Sequence, residues 1–279
     1  MSGQALVLGG GGLAGIAWTT GLLAGLAGHG QDLTGADLLV GTSAGAAVAA
    51  QVTSGVSLEE LLARQTDPAR QTPEIPAEID FEQFAADFGG AVTGATSPAE
   101  VRRAVGKLAL AADTVSEADR RAVIAARLPV HEWPAQRLVI VAVDAETGEP
   151  WQFDRASGVP LVDAVAASCA VPGVWPAVTI NGRRYVDGGV RSGENADYAT
   201  GFTRVTVVSP LGVESPLPME KPLLTVLDDL RAKGAEVTLV TPDEASVTAF
   251  GDNPLDPATR KPAAEAGLAQ GAALTLSWT

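Results

Sequence analysis

Apolar positions along the chain fall into brief continuous runs separated by longer stretches with helical spacing. Residues 5–9, 37–41 and 138–143 are short apolar runs closed by glycine or charge, the pattern of strands buried on both faces. Residues 204–208 and 236–240 read as further strands. Between them the spacing predicts helices over 13–28, 44–52, 57–65, 159–170, 221–232 and 258–276. Ser57 followed by Glu60 marks the start of one of these with a capping box. Asn181-Gly182 between the runs 178–180 and 184–186 predicts a tight hairpin, and a turn at 147–150 pairs 138–143 with 151–153. Residues 66–134 differ: they hold several prolines and many charges. Helices are expected there over 98–112, with Val101, Val105, Leu108 and Ala112 on one face, and over 116–127. Strands alternating with helices imply an α/β fold of three layers with a mostly parallel central sheet. The expected organisation is one domain over 1–279 with a helical cap or insertion at about 66–134.

Charge and composition narrow the function. Acids outnumber bases by 33 to 19, a formal net charge of −14, which argues against nucleic acid as a partner. One cysteine excludes a disulfide framework and a multi-thiolate zinc site, and two histidines leave little for a metal centre. No metal and no cofactor are expected. No Lys or Arg precedes Arg64, and four consecutive glycines, Gly9 to Gly12, interrupt the apolar N-terminal stretch, so it does not read as a signal peptide. No run of about 18 uncharged apolar residues marks a membrane span. A cytoplasmic protein is expected, with transient contact to a membrane surface left open.

Three motifs carry candidate chemistry. Gly9-Gly10-Gly11-Gly12-Leu13-Ala14-Gly15 follows a strand and opens a helix. Its amides and the helix dipole suit a phosphate or an oxyanion. Gly10, Gly12 and Gly15 also fit G-x-G-x-x-G, so a dinucleotide-binding loop stands beside the oxyanion reading and a purely structural one. Gly41-Thr42-Ser43-Ala44-Gly45 is a G-x-S-x-G between a strand and a helix, the setting of a nucleophile elbow; the bland alternative is a glycine turn with Ser43 as an N-cap. Asp187-Gly188-Gly189 closes a short strand and is either a simple turn or the site of an acid or base. A serine nucleophile needs a base. His131 precedes a strand instead of following one, and His29 precedes the serine, so neither fits a triad and Asp187 is the best candidate.

Taken together and in this order, the motifs resemble the patatin-like phospholipase family. The resemblance extends to 166–176, a run of small residues ending in Pro172-Gly173-Val174-Trp175-Pro176, and covers about 5–54 and 137–208. It implies lipid acyl-ester hydrolysis by a Ser43–Asp187 dyad, with the amides of Gly10, Gly11 and Gly12 as oxyanion hole and Gly15, Gly41, Gly45, Gly188 and Gly189 as motif glycines. The substrate would be a lipid or other acyl ester. As the base, Asp187 is expected to be partly desolvated, because an ordinary carboxylate is too weak near neutrality. Two departures stand out. Ala14 occupies a position where many members carry Arg or Lys, and Asn195-Ala196-Asp197 stands where the family often has Asn-x-Pro. Arg183, Arg184 or Arg191 are candidates for the missing charge. The basic groups Arg102, Arg103, Lys107 and Arg120, Arg121, Arg127 give the presumed cap a face that meets lipid or a hydrophobic substrate. The competing functions are a dinucleotide-binding protein and a catalytically silent binding module of the same shape.

Overall fold

The computed structural model describes residues 3–77, 81–214 and 221–276. These hold eight strands: β1 Gln4–Leu8, β2 Leu38–Thr42, β3 Arg137–Asp144, β4 Pro150–Phe153, β5 Val178–Ile180, β6 Arg183–Asp187, β7 Arg204–Val208 and β8 Glu236–Val240. The sheet order is β5-β6-β3-β2-β1-β7-β8, with β4 beside β3. β8, β7, β1, β2 and β3 are mutually parallel; β4, β5 and β6 are antiparallel additions at one end. Side chains alternate between two cores: Leu6, Leu8, Leu39 and Ile140 face one way, Val7, Val40, Val141 and Val207 the other.

The helices are α1 Gly12–Gly28, α2 Ala44–Val52, α3 Leu58–Thr66, α4 Phe81–Val92, α5 Pro98–Ala111, α6 Glu117–Arg127, α7 Leu161–Ser168, α8 Leu223–Ala232, α9 Glu244–Phe250 and α10 Arg260–Ala273. α1, α2 and α7 cover the first face, and α8 with the 3-10 turn Ala196–Ala199 covers the second. The three layers expected from the alternation of elements are therefore present. The Asn181-Gly182 hairpin forms with φ of 51° and 79° at its two central residues, as a type I′ turn requires. α9 was not expected from the spacing, being only seven residues long.

α1 tolerates its internal glycines because α10 lies directly on it. A Cβ at Gly21 or Gly25 would sit 2.1 Å from Ala264 O or 2.4 Å from Leu268 O. From the other side, a Cβ at Gly267 or Gly271 would meet Trp18 O at 2.2 Å or Leu22 O at 2.3 Å. Two glycines four apart on each helix thus bring backbone against backbone. Trp18, fully buried, seals the seam by donating its indole N–H toward Ser246 Oγ and Gln270 Oε1, each at 3.0 Å.

The stretch 66–134 is helical as expected, with positions 78–80 outside the described residues. Val101, Val105 and Ala109 of α5 pack on Val143, Val186 and Val190, and Ile124 of α6 joins the main core. The expected basic face does not form. Arg102, Arg120 and Arg127 are buried, and only Arg103, Lys107 and Arg121 are exposed. Arg102 donates from Nε to Gly148 O at 2.6 Å. The reason is placement: each of the three lies on the face of its helix that also carries the apolar contacts, so its charge is satisfied inward.

Candidate active site

The site arises from how β3 shares its edges. Residues 140–143 pair with β4 on one edge, which leaves β2 and β6 together on the other. β2 runs parallel to β3 and ends at the pair Thr42–Val141. β6 arrives from the opposite direction and ends at the next pair, Asp187–Ala142. The C-terminal ends of two strands meet head to head, so Ser43 and Asp187 converge although 144 positions separate them in sequence. A Cβ at Gly188 would lie 2.3 Å from Val141 O, so the chain leaving Asp187 can pass this junction only as glycine.

Ser43 sits in a strained turn, with φ 54° and ψ −117°, a conformation that costs a non-glycine residue about 1–3 kcal/mol. Its surroundings enforce it. At Gly45 a Cβ would be 1.9 Å from Leu8 O, and at Gly41 it would be 2.6 Å from Ala46 Cα, so α2 can start only from small residues. Both backbone groups of the serine are held: its N–H donates to Ser168 Oγ at 2.9 Å, and its carbonyl accepts from Cys169 Sγ at 3.2 Å. Ser168 in turn donates to Val141 O at 2.6 Å.

Asp187 is buried. Its Oδ1 accepts from the Gly189 N–H at 2.7 Å, while Oδ2 makes no hydrogen bond of ordinary geometry among the described residues. Burial pushes its pKa up to about 6; the nearby Ser43 hydroxyl and the Gly189 amide oppose this but do not cancel it. A serine close enough to stabilise the carboxylate without a formed hydrogen bond is usual for a nucleophile–base pair before substrate binds. The sequence expectation of a desolvated Asp187 agrees with this.

The glycine loop is supported unevenly. Gly9 N–H donates to Val208 O and Gly10 N–H to Gly193 O, each at 2.9 Å. Gly10 therefore departs from its expected role, because its amide already has an acceptor within the fold. The amides of Gly11 and Gly12 have none among the described residues, and Gly12 turns the chain with φ 65°. Gly15 packs near Ala44 and Pro210. Ala14 N–H is capped by Pro254 O at 2.9 Å. With the Gly10 and Ala14 amides taken within the fold, fewer donors are left for the dinucleotide alternative. Beneath the loop, Ser209 Oγ lies 2.5 Å from Gly212 O and 2.6 Å from Glu194 Oε1. The hydroxyl is shared between these two acceptors. Burial raises the Glu194 pKa, and the Ser209 hydroxyl opposes the rise.

Ser43, Asp187 and the glycine loop open into a groove of about 510 Å³, walled by Phe84, Phe88, Val174, Val190, Leu223 and Leu255. A second, smaller pocket of about 20 Å³ lies against Ser43, Gly12 and Leu255 and contains Arg120 and Trp175. His29 and His131 are exposed, and their rings lie against helix carbonyls, Gly25 O of α1 and Ala125 O of α6. Arg191 is paired with Asp197 at 2.6 Å, Arg183 with Asp144, and Arg184 with Ala177 O. None of these three arginines lines either pocket.

Several residues at the site carried no sequence signal as such. Ser168 and Cys169 lay within a run read only as a helix end. Asn195 is fully buried and reaches Thr42 Oγ1 at 3.0 Å and Gly188 O at 3.3 Å, tying the residue before Ser43 to the residue after Asp187. Its position in the motif that departs from Asn-x-Pro was the available clue.

A sequence model described as patatin-like phospholipase matches residues 6–200. No curated protein sequence matches the chain. Among solved structures it resembles VipD from Legionella pneumophila at 13% identity and a TM-score of 0.43, over 96% of this chain and 65% of that one. It also resembles the type III effector ExoU of Pseudomonas aeruginosa at 15% identity and a TM-score of 0.36, over 97% of this chain and 53% of that one. The family model spans well over half of the chain and includes the serine elbow, the glycine loop and the Asp-Gly-Gly turn. The chain belongs to the patatin-like phospholipase family, a family of lipid hydrolases.

Proposed function

We propose that this protein cleaves carboxylic esters of lipids with Ser43 as nucleophile and Asp187 as its base. The observation that carries this reading is the head-to-head meeting of β2 and β6 on one edge of β3, which brings a strained serine to a buried carboxylate with an unpartnered oxygen. Ser43 Oγ attacks the ester carbonyl carbon while its proton passes to Asp187 Oδ2. The tetrahedral oxyanion collapses, and the leaving alkoxide takes that proton from Asp187. Water then repeats the sequence on the acyl-enzyme, giving up a proton to Asp187, releasing the acid and restoring Ser43. With a pKa of about 6, Asp187 is still ionised at neutral pH yet is a stronger base than an ordinary carboxylate.

The Gly11 and Gly12 amides are the donors for the oxyanion, each worth about 3–4 kcal/mol when well placed. Gly10 fixes their position through Gly193. The groove takes the acyl chain against Phe84, Phe88 and Val174. Leu211, 59% exposed on the groove wall, offers an apolar lip for transient contact with a lipid surface. Labelling with a fluorophosphonate tests the assignment. Modification at Ser43 that is lost in Ser43→Ala and slowed in Asp187→Asn is expected. No labelling, or labelling that survives Ser43→Ala, overturns it.

A further inference from the structure

The small pocket beside Ser43 carries more positive charge than the fold neutralises. Glu74, on the extended stretch between α3 and α4, has its side chain 2% exposed. It accepts from Arg127 Nε at 2.8 Å and Nη2 at 2.5 Å, and from Arg260 Nη2 at 2.5 Å. Arg120 Nη1 lies farther off, at 3.9 Å. Three guanidiniums, each no more than 6% exposed, thus share one carboxylate. Arg120 stacks on the Trp175 ring at 3.8 Å, but its Nε and Nη1 have no hydrogen-bond acceptor among the described residues. Burial lowers its pKa to about 10, so it remains a cation at neutral pH. The remaining ionisable group lining the pocket, Cys169, is an uncharged thiol, pushed up to about 12.

A structural ion cluster matches its charges, because an uncompensated buried cation costs several kcal/mol. Here the excess is kept next to the nucleophile. The pocket has room for one water-sized group, and it shares Ser43, Gly12 and Leu255 with the acyl groove. We propose that it is an anion subsite, in which Arg120, backed by Arg127 and Arg260, receives one oxygen of a phosphate or carboxylate carried by the ester substrate. This rests on the hydrolase reading and adds a substrate class to it.

The test compares wild type with Arg120→Gln and Arg120→Lys. Three esters are used: neutral p-nitrophenyl butyrate, the p-nitrophenyl half-ester of glutaric acid, and a lysophospholipid. In Arg120→Gln the preference for an anionic ester over the neutral one falls about tenfold, through KM, and Lys restores part of it. Loss on the lysophospholipid alone identifies phosphate as the anion; loss on the half-ester alone identifies carboxylate. Separately, inorganic phosphate raises the Tm of wild type beyond an equal ionic strength of chloride, and this shift is lost in Arg120→Gln. An unchanged preference, or a phosphate shift equal in wild type and both variants, overturns the proposal. If no ester is turned over by wild type, the dyad assignment has failed, and the phosphate shift in Tm still decides the pocket. If Arg120→Gln does not fold, Arg120→Lys and phosphate protection of wild type decide it.

Discussion

Asp187→Asn should make the protein more stable at alkaline pH while removing its activity. The carboxyl has an ordinary pKa of 3.8 and one of about 6 in the fold, so the folded state holds the proton more tightly than the unfolded chain. The stability contributed by the protonated group is complete below about pH 4 and is lost as pH rises toward and through about 6. At pH 8 the buried carboxylate therefore costs about 3 kcal/mol relative to a neutral group. Asparagine stays neutral, and its Oδ1 still accepts the Gly189 N–H. The pKa of about 6 already contains the Ser43 interaction with the ionised group, so the expectation is about 3 kcal/mol of added stability at pH 8, or about 6–12 °C in Tm for a chain of this size, shrinking toward zero near pH 4. Urea unfolding followed by tryptophan fluorescence at a series of pH values measures it. A wild-type–variant difference that does not change between pH 4 and pH 8, or a variant less stable at pH 8, refutes the reasoning.

Activity on a neutral p-nitrophenyl ester should rise with pH through about 6, as Asp187 loses its proton; a flat kcat/KM profile from about pH 4 to 7.5 contradicts its role as base. Gly45→Ala places a methyl group 1.9 Å from Leu8 O, against backbone that cannot yield; a cost above about 3 kcal/mol is expected, seen as loss of folded protein by circular dichroism. Ser168→Ala leaves the Ser43 N–H without its acceptor and Val141 O without its donor. It should cost about 1–3 kcal/mol in stability and, on the proposed mechanism, lower kcat more than it raises KM, since Ser43 loses its support; unchanged steady-state kinetics would show that the serine turn holds without it.

Legibility in the sequence followed the range of the interactions. The elbow at Ser43 is local: a strand, a tight turn and a helix of small residues within 37–52, each with its own pattern. Asp187 is not local. Its turn is ordinary by itself, and what brings it to Ser43 is the division of one edge of β3 between two strands, which no single segment encodes. Arg120 and Arg127 show the converse failure. Charge normally marks a solvated surface, yet both lie on the face of α6 that carries Ile124, four residues before it and three after it. That spacing is the helical signature of a core-facing stripe. Their partner Glu74 lies 53 positions from Arg127, on a stretch with no periodicity to announce it.

The glycine seam between α1 and α10 has a consequence for where the chain can be cut. With backbone packed on backbone, sliding one helix past the other by a single residue would drive a Cβ into a carbonyl. The axial position of α1 is therefore set by residues 264–271. The amides of Gly11 and Gly12 lie at the head of that helix, under Pro210 and Pro254. All of these contacts lie beyond residue 200, where the family match ends. The last quarter of the chain thus acts as a stop that gauges the depth of the loop facing Ser43, and a fragment ending at the family boundary would keep Ser43 and Asp187 but lose the ruler that aligns them with it.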